Sequence, residues 1–214
     1  MSRNSYSYDE TSQVHTQGRT IRWANRYDLL VFLLTLGQAS TLRSRTADLV
    51  CVAPGEAVLD IGCGTGDLTI QIRRRAGTSG RIVGIDAAPE MVARARKKAL
   101  QRDLTIEFRV EPVEALTFAD QTFDVVVCSL VFHHLPDTLK RQGLAEIRRV
   151  LKPGGRFILV DFLRPSHHVP LHAALQTGLQ DLPPLLQEAG LLQAEHKQNP
   201  FPLIGALQAR TAAQ

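Results

Sequence analysis

With 214 residues, 44% of them hydrophobic, the chain is sized for one substantial core, and a second full domain is not expected. Its formal charge of +4 comes from basic residues scattered along predicted helices without interleaved aromatics, which argues against a nucleic-acid partner. Cys51, Cys63 and Cys128 are odd in number and form no C-x-x-C pair, so neither disulfides nor a metal site is expected, and a reducing, cytoplasmic setting is.

Residues 1–19 are polar and lack the apolar stretch of a secretory signal. Arg22 to Leu36 reads as a helix stopped by Gly37, and Ser40 to Val50 as a second one, before Pro54-Gly55 opens the main fold. This divides the chain into an N-terminal extension with a helical lid, 1–50, and a main domain, 51–214. The run Leu29 to Leu34 is far shorter than the roughly 20 residues of a membrane span. It leaves open a peripheral membrane contact or contact with a greasy substrate.

Glu56 to Ile61 reads as a buried parallel strand and Asp67 to Ala76 as a helix, with Gly62, Gly64 and Gly66 in the turn between them. Glycines there let a ligand approach the backbone, as in nucleotide-type cofactor sites. A second strand, Arg81 to Ile85, runs into Asp86, about twenty residues beyond the turn, where an acidic side chain can accept ribose hydroxyls. The G-x-G-x-G spacing differs from the dinucleotide fingerprint, and Asp60 beside the turn would repel a pyrophosphate. A cofactor with a cationic group at that point is favoured, which suits the ammonium and sulfonium of S-adenosylmethionine.

Helix and strand patterns alternate from there on. Strands are predicted near 105–109, 123–128 and 156–161, and helices near 89–101, 138–151 and 182–189. The pattern specifies an α/β fold with a doubly wound, mostly parallel sheet. The connector from Arg164 to Asp181, with Pro165, Pro170 and three histidines, is an expected part of the substrate entrance. Leu191 to His196 and Leu203 to Ala209 suit a closing antiparallel hairpin.

The stretches VLDIGCGTG, GIDAAPEMVARAR, FDVVVCSLVFHHL and RVLKPGGRFILVDF, between Glu56 and Phe162, resemble the class I S-adenosylmethionine-dependent methyltransferases, including the ubiquinone/menaquinone biosynthesis group. The resemblance implies a Rossmann-like, seven-stranded methyltransferase sheet with an N-terminal lid. It implies that Gly62, Cys63 and Gly64 present backbone to the methionine part of the cofactor, that Asp60 orients it and that Asp86 takes the ribose. Ala87 and Met91 would flank the adenine, the Val113 N–H would meet its edge, and Ser129 and Leu130 would offer backbone oxygen to the amino group. Pro112 departs from the pattern, standing where relatives often carry an Asp for the adenine amino group; Glu111 is a candidate replacement.

His133 and His134 follow the fourth strand, where an imidazole can take a proton from the methyl acceptor. Packing against the next helix is the competing account of both. Tyr27, on the predicted lid, would lie over the transfer centre, with Trp23 walling the acceptor pocket, or the two would simply pin the extension to the core. Lys152-Pro153-Gly154-Gly155 reads as a structural turn. The acceptor implied is small or hydrophobic, such as a quinone precursor or lipid; whether it is an O, N or C acceptor, and the oligomeric state, stay open. Two alternatives remain: a non-catalytic S-adenosylmethionine-binding protein and a nicotinamide-dependent oxidoreductase.

Overall fold

The computed structural model describes residues 38–164, 178–201 and 203–213. The helix predicted over Arg22 to Leu36, with Trp23 and Tyr27, lies outside them, as do residues 165–177 of the connector. In chain order the elements are α1 (Ala39–Val50), β1 (Val58–Ile61), α2 (Asp67–Ala76), β2 (Ile82–Asp86), α3 (Pro89–Leu100), β3 (Glu107–Val110), β4 (Phe123–Ser129), α4 (Asp137–Val150), β5 (Leu151–Phe162), α5 (Pro183–Glu188), β6 (Leu192–Phe201) and β7 (Ile204–Arg210). Short 3-10 turns at Phe132–His134 and Leu179–Asp181 precede α4 and α5.

The seven strands form one sheet in the order β3-β2-β1-β4-β5-β7-β6. Strands β1 to β5 are mutually parallel, and β7 inserts antiparallel between β5 and β6. The chain steps outward from β1 to β3 and then returns to pair β4 with β1. The strand order therefore reverses between β1 and β4, and a crevice opens at their carboxyl ends.

Burial on both faces explains the continuous apolar strands. Leu59, Ile61, Val126 and Cys128 point to one side, where Leu144, Ile147 and Val150 of α4 cover them. Val58, Val125 and Val127 point to the other, against Leu42, Ala47 and Val50 of α1 and Leu68 and Ile72 of α2. Helix signals agree with the axial dipoles: Asp67 begins α2 and Arg73 to Arg75 end it, while Pro89 and Glu90 begin α3 and Lys97 and Lys98 end it.

Two boundaries differ from the sequence reading. Leu104 N–H donates to the Ala99 carbonyl at 3.1 Å, wrapping the end of α3, so β3 begins only at Glu107, where Phe108 turns in against Val92 and Ala95. The Lys152 to Gly155 turn is absorbed into the start of β5 as an irregularity. Thr211 holds it from the far end of the chain, donating N–H to the Gly155 carbonyl at 3.0 Å and Oγ1 to that of Lys152 at 2.6 Å. The tail hairpin forms as predicted, and among the described residues no helix is long and apolar enough to cross a membrane.

Candidate functional site

The glycine turn after β1 is held in a conformation that side chains resist. Gly62, Gly64 and Gly66 have φ of +66°, +53° and +80°. A Cβ on Gly62 would collide with Val131, and one on Gly66 would stand 2.8 Å from the Ala95 Cβ. Asp86 shapes the turn from β2: its Oδ2 accepts the Gly64 N–H and its Oδ1 the Ala88 N–H, each at 2.9 Å. The Cys63 thiol packs among Val92, Ala95 and Phe108 and donates to the Gly64 carbonyl of the turn at 3.7 Å, and burial pushes its pKa well above the ordinary range.

An open cleft lies at the β1/β4 reversal, and its roughly 560 Å³ of empty space includes open solvent. Asp60, Gly62, Cys63, Gly64, Ser129 and Leu130, six of the predicted binding residues, line it together. Asp60 is buried, accepts a 2.6 Å hydrogen bond from the Thr69 hydroxyl, and has its pKa raised to about 7. Burial is the main cause; Thr69 opposes it and the charge of Asp86 adds to it. Leu130 stands in the left-handed region at φ +59°, anchored by its N–H to the Val160 carbonyl at 2.8 Å. Such backbone strain costs about 1–3 kcal/mol and is concentrated at functional sites.

The remaining predicted residues lie outside that lining. Ala87 is half-buried behind Asp86, and Met91 is buried in the first turn of α3. Val113 is buried with its side chain facing Gly143 of α4. Glu111 is committed elsewhere, because its carboxylate accepts the Thr117 N–H and closes the loop after β3. His133 and His134 sit in the 3-10 turn just past the cleft wall, and Tyr27 is outside the described residues.

Two features escaped the sequence reading. Arg43 of α1 lines the cleft with its guanidinium 3.3 Å from Asp67, which also receives Lys98 at 3.0 Å; Lys98 in turn donates to Thr65 at 2.8 Å. The signal was a charged side chain one residue from Leu42 on a core-packing helix. The other is Asp161, 2% exposed at the end of β5, whose Oδ1 lies 2.7 Å from His133 Nδ1. It is a third strand-ending carboxylate after Asp60 and Asp86, and the same logic would have flagged it.

A cleft with a buried carboxylate on its floor and a guanidinium on its wall complements a zwitterionic amino-acid group whose neighbour is cationic. S-adenosylmethionine fits that arrangement, whereas a pyrophosphate would face Asp60.

Residues 58–155 match a family model described as Methyltransferase domain. The chain is 40% identical to a demethylmenaquinone methyltransferase of Thermus thermophilus over 142 residues, 66% of this chain and 63% of that protein. It is 38% identical to a ubiquinone/menaquinone biosynthesis C-methyltransferase, UbiE, of Geobacter sulfurreducens over 144 residues, 66% of this chain and 56% of that one. The chain thus spans about three fifths of the length of these curated relatives.

Among solved structures, a SAM dependent methyltransferase from Aquifex aeolicus matches with a TM-score of 0.70 at 20% identity, over 86% of this chain and 98% of that one. The [4+2]-cyclase SpnF matches with a TM-score of 0.68 at 22% identity, over 82% of each. These two likenesses concern the fold. The matched motifs and relatives show that the chain carries a methyltransferase domain similar to those of the demethylmenaquinone and UbiE methyltransferases.

Proposed function

We propose that the protein binds S-adenosylmethionine in the β1/β4 cleft and transfers its methyl group to a small hydrophobic acceptor of the quinone-precursor type. The observation that carries the proposal is Asp60, a buried carboxyl group lining the cleft next to the glycine turn. When bound, the cofactor supplies a methyl carbon made electrophilic by its sulfonium.

The protein's part is placement. Asp60 and Arg43 receive the two charged ends of the amino-acid group. Asp86 keeps one lone pair on each oxygen for ribose hydroxyls beyond the two N–H groups it already accepts. The turned-out backbone at Ser129 and Leu130 faces the amino group, and the loop from Pro112 to Val113, with Ala87 and Met91, borders the adenine. Bringing a nucleophile into line with the methyl group and excluding water supplies several kcal/mol of the rate enhancement. The names of the curated relatives support a quinone-type acceptor. The apolar segment Leu29 to Leu34 is consistent with a greasy substrate or with peripheral contact to the membrane that holds one.

The test is incubation with S-adenosylmethionine and a reduced naphthoquinone carrying a free ring position, followed by mass spectrometry. A product heavier by one methylene, formed with stoichiometric S-adenosylhomocysteine, is expected. Tight binding of both adenosyl ligands with no methylation across phenolic, quinol and lipid probes would favour the non-catalytic reading, for which Pro112 is the motivating residue.

A further inference from the structure

We infer that Lys98 of α3 is a positioning residue for the cofactor's carboxylate: it neutralises Asp67 and so leaves the charge of Arg43 to the ligand. This rests on the reading above, in which Arg43 receives that carboxylate. Lys98 itself touches no ligand in this scheme and acts through Asp67.

The four side chains concerned meet in one corner of the cleft. Arg43, Thr65 and Asp67 line it, and Lys98 reaches them from the next helix. Lys98 Nζ donates to both Asp67 oxygens, each at 3.0 Å, and to Thr65 Oγ1 at 2.8 Å. Arg43 Nη1 stands farther off, 3.3 Å from Asp67 Oδ2. The ammonium is therefore the closer partner, and at 16% exposure against 24% for Arg43 it is also the better shielded from water. The fold fixes this arrangement. Ala95 packs on the glycine turn so closely that a Cβ on Gly66 would stand 2.8 Å from its own. Lys98 follows one helical turn later on the same face of α3, and its long side chain extends over Thr65 and Asp67. Asp67 opens α2, where the axial dipole favours a carboxylate.

The charges along the cleft give Lys98 its effect. The lining holds two acids, Asp60 and Asp67, and one cation, Arg43. Were Asp67 uncompensated, it would repel an incoming carboxylate and draw the guanidinium to itself. With Lys98 on both of its oxygens, Asp67 is cancelled locally and Arg43 brings its charge to the ligand. The rival account is a purely structural ion pair that ties α3 to the start of α2. It predicts the same loss of affinity for every adenosyl ligand, and it gives the ligand's carboxylate no part.

The experiment is titration calorimetry of the full-length protein with S-adenosylhomocysteine and with its decarboxylated analogue, which keeps the adenosine, the thioether and the amino group. Wild type is expected to prefer S-adenosylhomocysteine by about tenfold or more. Lys98→Met should weaken S-adenosylhomocysteine about tenfold and change the analogue by less than about twofold. Adding Asp67→Asn to Lys98→Met removes the charge that needs cancelling, and should bring S-adenosylhomocysteine back to within about threefold of wild type. Lys98→Arg should keep the wild-type preference. Equal weakening of both ligands by Lys98→Met, weakening of neither, or no recovery in the double variant would overturn the proposal. Should Lys98→Met fail to fold, Asp67→Asn alone decides: it is expected to keep the preference for the carboxylate, and loss of that preference would overturn the role of Lys98. The wild-type titrations separate this inference from the reading beneath it. Equal binding of both ligands, or binding of neither, would remove Arg43 as the receiver of the carboxylate, whereas a wild-type preference that survives Lys98→Met would remove Lys98 alone.

Discussion

At the scale of single residues, the proposal turns on Asp60, which lines the cleft. Its pKa of about 7 in the folded protein, against an ordinary 3.8, means that the folded chain keeps a proton through a window in which the unfolded chain has lost it. Its contribution is therefore intact below pH 3.8, and stability declines as pH rises toward about 7. Ligand binding runs the other way, because a cationic ligand prefers the ionised carboxylate. Affinity for S-adenosylhomocysteine, measured by calorimetry, should fall by up to about tenfold per unit as pH drops below that value. Asp60→Asn should weaken binding and flatten the slope. An unchanged slope in that variant would assign the effect to Asp86, whose pKa burial also raises. Asp60 and Asp86 were visible in the sequence because each ends an apolar strand near the glycine turn. Asp161 ends a strand in the same way, but its contact with His133, 28 positions away, is made only through the β4–β5 pairing.

At the scale of elements, the loop after β3 depends on one side chain from α4. Arg149 donates to the Leu116 carbonyl at 2.8 Å and the Phe118 carbonyl at 2.7 Å while paired with Glu146 and Asp120. Glu146 completes the clamp by accepting the Leu116 N–H at 2.9 Å. The fixed fork of a guanidinium suits this divided task and an ammonium does not. Arg149→Ala should cost about 1.5–3 kcal/mol, seen as a fall of roughly 3–10 °C in the unfolding midpoint, and Arg149→Lys should recover little of it. The same variant should loosen S-adenosylhomocysteine, since this loop carries Pro112 and Val113. A variant with wild-type stability would mean the clamp is dispensable. No pattern in the sequence announces such a hub, because its carbonyl partners are loop backbone some thirty positions upstream. Helices and strands, by contrast, were legible to within a few residues from apolar periodicity and terminal charges. The exceptions, the late start of β3 and the Lys152 to Gly155 irregularity, were set by contacts with the end of α3 and with Thr211.

At the scale of the whole molecule, the sheet order explains why residues distant in sequence meet. The reversal between β1 and β4 gathers the glycine turn, Asp60 and the Ser129-Leu130 bend at one crevice, and α1 brings Arg43 to its wall. Alternating strands and helices made the parallel sheet legible, and the antiparallel insertion of β7 followed from the tail's two short apolar runs. The site was legible where it follows strand ends and obscure where a helix on another layer reaches across. The fold alone does not choose the reaction, since a [4+2]-cyclase shares it. The central claim is that this crevice takes an adenosyl sulfonium in preference to a dinucleotide. Its most direct test is thermal unfolding of the intact chain with S-adenosylmethionine, S-adenosylhomocysteine or NAD, each at about a hundred times a micromolar dissociation constant. A rise of about 5–10 °C with both adenosyl ligands and none with NAD is predicted. A rise with NAD alone, or with none of the three, would contradict the account.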